Sequence, residues 1–247
     1  MPVLGDIGLL ATCRPGGDRD APGGQDDVGA VRDAALAWED GRVAWLGPAS
    51  ELPERWREEE ARSAGGGLVV PGLVDCHTHL AFGGWRADEF VRRARGESYA
   101  EIASAGGGIL STVRATREAS EEALAERAGR FLAGMARLGV TTVEAKSGYG
   151  LDLPEEIKLL RVYRRLAETS SLRIVPTLLA AHALPPEYAD DRDGYVWLVC
   201  EEIIPAAADE GLARFCDVFL EEGAFSAAEA RRVLEAGLER GLRPKLH

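Results

Sequence analysis

The sequence predicts an α/β fold of parallel strands alternating with helices, and within that class part of a (β/α)8 TIM-type barrel. Three observations carry the expectation. From residue 67 onward, short apolar runs alternate with amphipathic helical segments, a pattern that builds parallel sheets with crossover helices. Polar residues gather at the carboxyl ends of successive runs, where barrel enzymes keep their chemistry. No Gly-x-Gly-x-x-Gly follows the first run, and Gly106-Gly107-Gly108 follows no predicted strand directly, which disfavours a doubly wound sheet. About five strands are legible and about three of a full barrel are missing, so the chain reads as truncated.

Residues 1–66 differ in texture and are expected to form a separate β-rich unit. Arg14–Gly29 is rich in Gly, Asp and Pro and reads as a loop. Asp40-Gly41 lies between the apolar runs of Ala34–Gly47, a two-residue hairpin signal because both turn positions need positive φ. Arg55–Arg62 is charged and reads as a short helix or exposed connector, and Gly65-Gly66-Gly67 marks a boundary.

The barrel part is expected over residues 67–247. Leu68–His79 reads as its first strand. Ser120 is a candidate cap for a helix over Glu121–Leu138, with Leu124, Ala128, Phe131, Leu132, Met135 and Leu138 at helical spacing and Gly139 closing it. Val140–Lys146 reads as the second strand. Pro154 opens the next helix, which sets Leu159, Val162, Tyr163 and Leu166 on one face. Leu172–Ala180 and Asp217–Leu220 read as the third and fourth strands. Ser226 and Glu229 form a Ser-x-x-Glu capping box for a helix to about Arg240, and Arg243–His247 begins a fifth strand.

Composition narrows the function. With 247 residues, 46% of them hydrophobic, the chain can bury a sizeable core. Twenty-nine Lys and Arg against 41 Asp and Glu give a net charge of −12, a poor match to nucleic acid or an anionic membrane surface. No run approaches the ~18–20 apolar residues of a membrane helix, and the amino terminus lacks a secretory pattern. Cys13, Cys76, Cys200 and Cys216 form no Cys-x-x-Cys pair. A soluble cytoplasmic protein with reduced thiols is expected.

The sharpest chemical signal is Val70-Pro-Gly-Leu-Val-Asp-Cys-His-Thr-His79. Residues two apart in a strand face the same way, so His77 and His79 project from one side and can bind one cation through neutral ring nitrogens. Asp75 shares that face one step deeper. The chain has four histidines, His77, His79, His182 and His247, and each falls at the end of a predicted strand. A scattered, incidental set would not align so.

At these residues the sequence resembles the amidohydrolase superfamily, and within it the imidazolonepropionase family. The segments that carry the resemblance are Phe82-Gly-Gly-Trp-Arg86, Ala105–Arg117, Glu144-Ala-Lys-Ser-Gly-Tyr-Gly-Leu151, Ala181-His-Ala-Leu-Pro-Pro-Glu-Tyr188, Asp217–Ser226 and Lys245-Leu-His247. The resemblance implies hydrolysis of the cyclic amide bond of 4-imidazolone-5-propanoate to N-formimidoyl-L-glutamate, a step of histidine degradation. It implies one Zn2+ or Fe3+ per subunit, held by His77, His79, His247 and a later Asp, and it allows a homodimer. The first residues would then belong to a small β-sandwich composite domain.

It further implies that Arg86 and Tyr149 bind substrate, and that His182 both contacts the ring and acts in catalysis. A guanidinium fork suits the propionate carboxylate. The ring carbonyl gains charge during attack, so a donor role is expected for His182. Lys146 is read as a structural charge near Glu144. The resemblance also leaves a departure: the acidic or Gln residue that follows Lys-Leu-His in the family, and the later Asp, have no counterpart up to His247. This polypeptide alone is therefore expected to be unstable and without useful activity. Another amidohydrolase, such as an aminated-ring deaminase, and a non-catalytic remnant remain the alternatives.

Overall fold

The computed structural model describes residues 2–13, 28–98, 101–102 and 105–247. Most of the expected Arg14–Gly29 loop (14–27) lies outside the described residues. The chain divides into two compact units, Met1–Gly72 and Leu73–His247.

The first unit is a five-stranded mixed sheet. β1 (Val3–Ala11) pairs antiparallel with β2 (Ala30–Glu39), which pairs antiparallel with β3 (Arg42–Pro48). Asp40 and Gly41 join β2 to β3 with φ of 50° and 72°, the two positive angles that a tight hairpin demands. The charged stretch after β3 holds a one-turn helix, Glu54–Arg57, whose Trp56 packs with Val3 and Ala37. β4 (Ala61–Ser63) and β5 (Leu68–Val69) then lie parallel to β1. The apolar run from Leu68 to His79, expected as one strand, is thus two. Pro71 has no amide hydrogen to continue a ladder, and the chain leaves the first sheet there before entering the second at Leu73.

The second unit is built on five parallel strands in the order β10-β9-β8-β7-β6. They are β6 (Leu73–Thr78), β7 (Val140–Lys146), β8 (Arg173–Ala181), β9 (Phe215–Val218) and β10 (Arg243–Leu246), and every neighbouring pair runs parallel. Each strand pairs with the next in sequence, with no reversal of order. That is the winding of a barrel rather than of a doubly wound sheet, and the sheet curls as half a barrel. β9 begins two residues earlier than its apolar run suggests. Leu220 has left the ladder and makes an isolated bridge to Phe225, because Glu221-Glu222-Gly223 turns the chain.

The helices form where their caps and apolar stripes place them. Ser120 accepts the Ala123 amide to start the helix Glu121–Arg137, which buries Leu124, Ala128 and Leu132. Asp152 accepts the Glu155 amide to start Leu153–Thr169, with Pro154 in its first turn. The Ser226–Glu229 capping box is complete at the head of Ala227–Glu239. Short helices at Ala87–Ala94 and Ile109–Glu118, and the continuous helical stretch from Arg192 to Asp209, lay outside the sequence expectation. None of the described helices is long and apolar enough to cross a membrane.

One side chain ties this layer together. The fully buried Tyr163 hydroxyl donates to the Lys146 carbonyl at 2.7 Å and accepts the Ala81 amide at 3.2 Å, joining the chain just beyond β6 to the end of β7. Tyr163→Phe leaves both groups unpaired and should cost about 1–3 kcal/mol, read as a lower urea midpoint at unchanged slope. An unchanged midpoint would show the hydroxyl to be idle.

Candidate metal centre

His77 lies in β6, His79 one residue beyond it, His182 directly after β8 and His247 directly after β10. All four imidazoles meet at one end of the sheet. Ring centroids are 4.6 Å apart for His77 and His247, 5.1 Å for His79 and His247, and 5.7 Å for His77 and His79. His182 stacks on His79 at 4.8 Å with only 11° between the ring planes. One nitrogen from each of His77, His79 and His247 lies within 4.8 Å of the other two. Asp75 stands apart from this group, its carboxylate accepting the His77 amide at 3.4 Å.

Proximity comes from curvature. β6 and β10 are the two edges of the sheet, and in a flat sheet four strand spacings would separate them by about 19 Å. Their histidines touch because both edges bend round to one concave face.

The site favours neutral rings. Burial drives His79 down to about 3, with His182, His247, His77 and Lys146 adding repulsion to its charged form. Burial likewise lowers His182 to about 4 and lowers His247, against the opposing pull of Asp217. Neutral imidazole is the metal-binding form. Moreover, Nδ1 of His79 and Nδ1 of His247 are buried without a hydrogen-bond partner. Buried polar atoms are normally satisfied, so two orphaned ring nitrogens beside a third imidazole fit a cation.

Beneath the rings lies a buried ionic network. Lys146 Nζ donates to Asp217 Oδ2 at 2.6 Å and to Glu144 Oε1 at 3.0 Å. Lys245 Nζ and Thr177 Oγ1 also donate to Glu144 Oε1, at 2.7 and 2.5 Å. Burial would push the Glu144 carboxyl up, but bonds from Lys245, Thr177 and Lys146 outweigh it and hold it below the usual range. Asp217 Oδ2 also lies 3.8 Å from His247 Nδ1. Sequence reasoning placed Lys146 beside Glu144 but missed Asp217 and Lys245. Their signal was the same two-residue alternation that pairs the histidines, since Lys245 shares a face with His247 and sits opposite Asp217 in the ladder.

The expected substrate residues surround the rings. Tyr149 lies 5.4 Å from both His79 and His182 by ring centroid. Arg86 sits at the amino end of the helix Ala87–Ala94, with Glu89 3.8 Å away. Arg86, Tyr149 and His182 line one cleft of about 660 Å³, which Phe219, Glu221 and Glu222 also border. The loop carrying Tyr149 is pinned: Gly148 has φ of +101°, and a Cβ there would fall 2.8 Å from His182 Nδ1.

The role open to His182 depends on which ring nitrogen bears hydrogen. Its Nδ1 lies 2.8 Å from the Gly148 carbonyl, an acceptor only, so Nδ1 carries the hydrogen and Nε2 of the neutral ring carries a lone pair. To donate from Nε2, the ring must first take up a proton.

Comparison with known proteins fits this geometry. The imidazolonepropionase of Cupriavidus taiwanensis is 54% identical over 213 residues, covering 86% of this chain and 51% of that protein. The chain belongs to the imidazolonepropionase family. The imidazolonepropionase of Myxococcus xanthus is likewise 54% identical over 210 residues, covering 84% of this chain and 50% of that protein. This imidazolonepropionase-family chain spans about half the length of the curated relatives it matches. No protein-family model matches it. Among solved structures, the 5-methylcytosine deaminase of Klebsiella pneumoniae superposes with a TM-score of 0.62 at 14% identity, over 97% of this chain and 50% of that one. Aspergillus niger ochratoxinase gives 0.58 at 17%, over 99% and 55%. At such identities the likeness is one of fold alone.

The lowered histidines set a pH dependence. With folded values of about 4 and 3 against 6.5, His182 and His79 contribute stability that is complete above pH 6.5 and is lost as pH falls toward those values. In the presence of chelator, the loss from pH 6.5 to 4.5 should be on the order of 2–3 kcal/mol per histidine, before most carboxylates titrate. A urea midpoint flat across that window would contradict it.

Proposed function

We propose that this chain supplies the metal centre and part of the substrate cleft of an imidazolonepropionase, which hydrolyses the cyclic amide C–N bond of 4-imidazolone-5-propanoate to N-formimidoyl-L-glutamate. The observation that carries the reading is the meeting of His77, His79 and His247 from the two edges of the sheet, with burial favouring the neutral form of His79 and His247 and two ring nitrogens orphaned. These three side chains would hold one Zn2+ or Fe3+. A cation bound there supplies Lewis acidity toward the ring carbonyl and lowers the pKa of water, both of which a poorly electrophilic cyclic amide needs.

The chain's own groups then have distinct tasks. Arg86 binds the propionate carboxylate through its guanidinium fork. Tyr149, its ring tilted toward His79 and His182, closes one wall of the cleft against the ring. His182 lies beside His79, and its Nε2 lone pair accepts a proton as water attacks, after which the charged ring can donate to the departing nitrogen. Lys146, Glu144 and Asp217 hold the floor of the site as a buried charge network. Residues 1–66 belong on this reading to a composite β-rich domain.

In an active protein containing this chain, Arg86→Ala should raise KM for the carboxylate-bearing substrate about 10–100-fold with kcat changed far less. An unchanged KM would point instead to an amidohydrolase of a substrate without that carboxylate, such as an aminated ring. His247→Ala should leave the purified protein with well under one cation per chain by elemental analysis, and retention of a full equivalent would remove His247 from the ligand set.

A further inference from the structure

Glu156 has no part in the site as described, yet it holds the loop that carries Tyr149. It lies in the helix Leu153–Thr169 and is fully buried. Its partners are the Ser147 side chain and three backbone amides of the same loop. Oε1 accepts Gly150 N at 2.7 Å and Leu151 N at 2.9 Å, and Oε2 accepts Gly148 N at 3.0 Å. A carboxylate offers about four lone-pair sites, and three converging N–H groups suit it better than they suit a neutral amide.

The consequence runs through Gly148. Its amide is held by Glu156 while its carbonyl, on the next peptide, accepts the His182 Nδ1 hydrogen at 2.8 Å. The same loop carries Tyr149, which lies between the Gly148 and Gly150 amides that Glu156 holds. The approach is close enough to require glycine: a Cβ on Gly148 would meet His182 Nδ1 and the Leu179 carbonyl, at 2.8 and 2.9 Å. Ser147 links the carboxylate to β8: its side chain bonds Glu156, and its hydroxyl accepts the Leu179 amide at 3.0 Å.

We propose that Glu156 is a positioning residue: by gathering the amides of Gly148, Gly150 and Leu151 it aims the Gly148 carbonyl at His182, locks that ring as the Nδ1–H tautomer, and presents Nε2 as an acceptor. The catalytic consequence rests on the function proposed above, whereas the tautomer does not. Glu156→Gln places an amide NH2 where one oxygen accepted an N–H, so the loop must shift and the Gly148 carbonyl with it.

The test is a long-range 1H–15N correlation of the histidine side chains, which separates Nδ1–H from Nε2–H rings. In the native protein His182 should be the Nδ1–H form, and a dominant Nε2–H signal would overturn the proposal without any variant. In Glu156→Gln the ratio of Nδ1–H to Nε2–H should fall about fivefold, the effect of one weakened hydrogen bond. If that variant fails to fold by circular dichroism, Glu156→Asp, one methylene shorter, is read the same way. A folded variant that keeps the native ratio would show Glu156 to be structural only. In an active protein the same variants should lower kcat more than they raise KM, and the reverse split would count against the proposal. Loss of turnover in the parent protein would leave the tautomer result standing and would bear only on the hydrolase reading.

Discussion

The structure depends on the curl that brings the two edges of a five-stranded sheet to a common point. Side chains on β6 and β10 are separated by every other strand of the sheet, yet His77 and His247 stand 4.6 Å apart by ring centroid. Parallel strands twist, and strands wound in strict sequence order turn that twist into closure. The helices on the outer face, capped at Ser120, Asp152 and Ser226, supply the packing that keeps the curl. Without it the histidines would be single polar groups at strand ends.

Electrostatics inside the curl divide into two layers. At the mouth, burial and repulsion from neighbouring rings disfavour the charged forms of His79 and His182. The floor below them is charged but balanced, with Lys146 shared between Asp217 and Glu144, and Lys245 also on Glu144. Such a buried network does not earn its place through stability alone, since desolvation offsets most of the Coulomb gain. Here it fixes the inward faces of β7, β9 and β10 at one level, which sets where the histidines above them can reach. Family membership and the half-barrel fold agree with this arrangement.

Much of this was legible beforehand. Caps, hairpin and strand order follow from local rules: Asp40-Gly41 needs positive φ, Ser226 and Glu229 satisfy each other, and apolar stripes at helical spacing mark buried faces. The His-x-His pair declared itself through two-residue alternation alone. Other features were hidden for a physical reason. The break at Pro71 depends on which sheet each half of an apolar run joins, and nothing local distinguishes the two. Glu156 looks like any acidic residue in a first helical turn, and only the loop folded against it reveals its three amide partners. Asp217 and Lys245 read as ordinary strand residues until their strands lie side by side.

The sequence by itself determined the alternating architecture, the identity of the four imidazoles and their position at strand ends, because these depend on near-neighbour geometry and periodicity. Tertiary structure decided the rest: which imidazoles meet, which of their nitrogens stay unpartnered, and which ring nitrogen of His182 bears hydrogen. Those properties arise from contacts between residues as far apart as 77 and 247, and no local rule encodes a distance across a curled sheet.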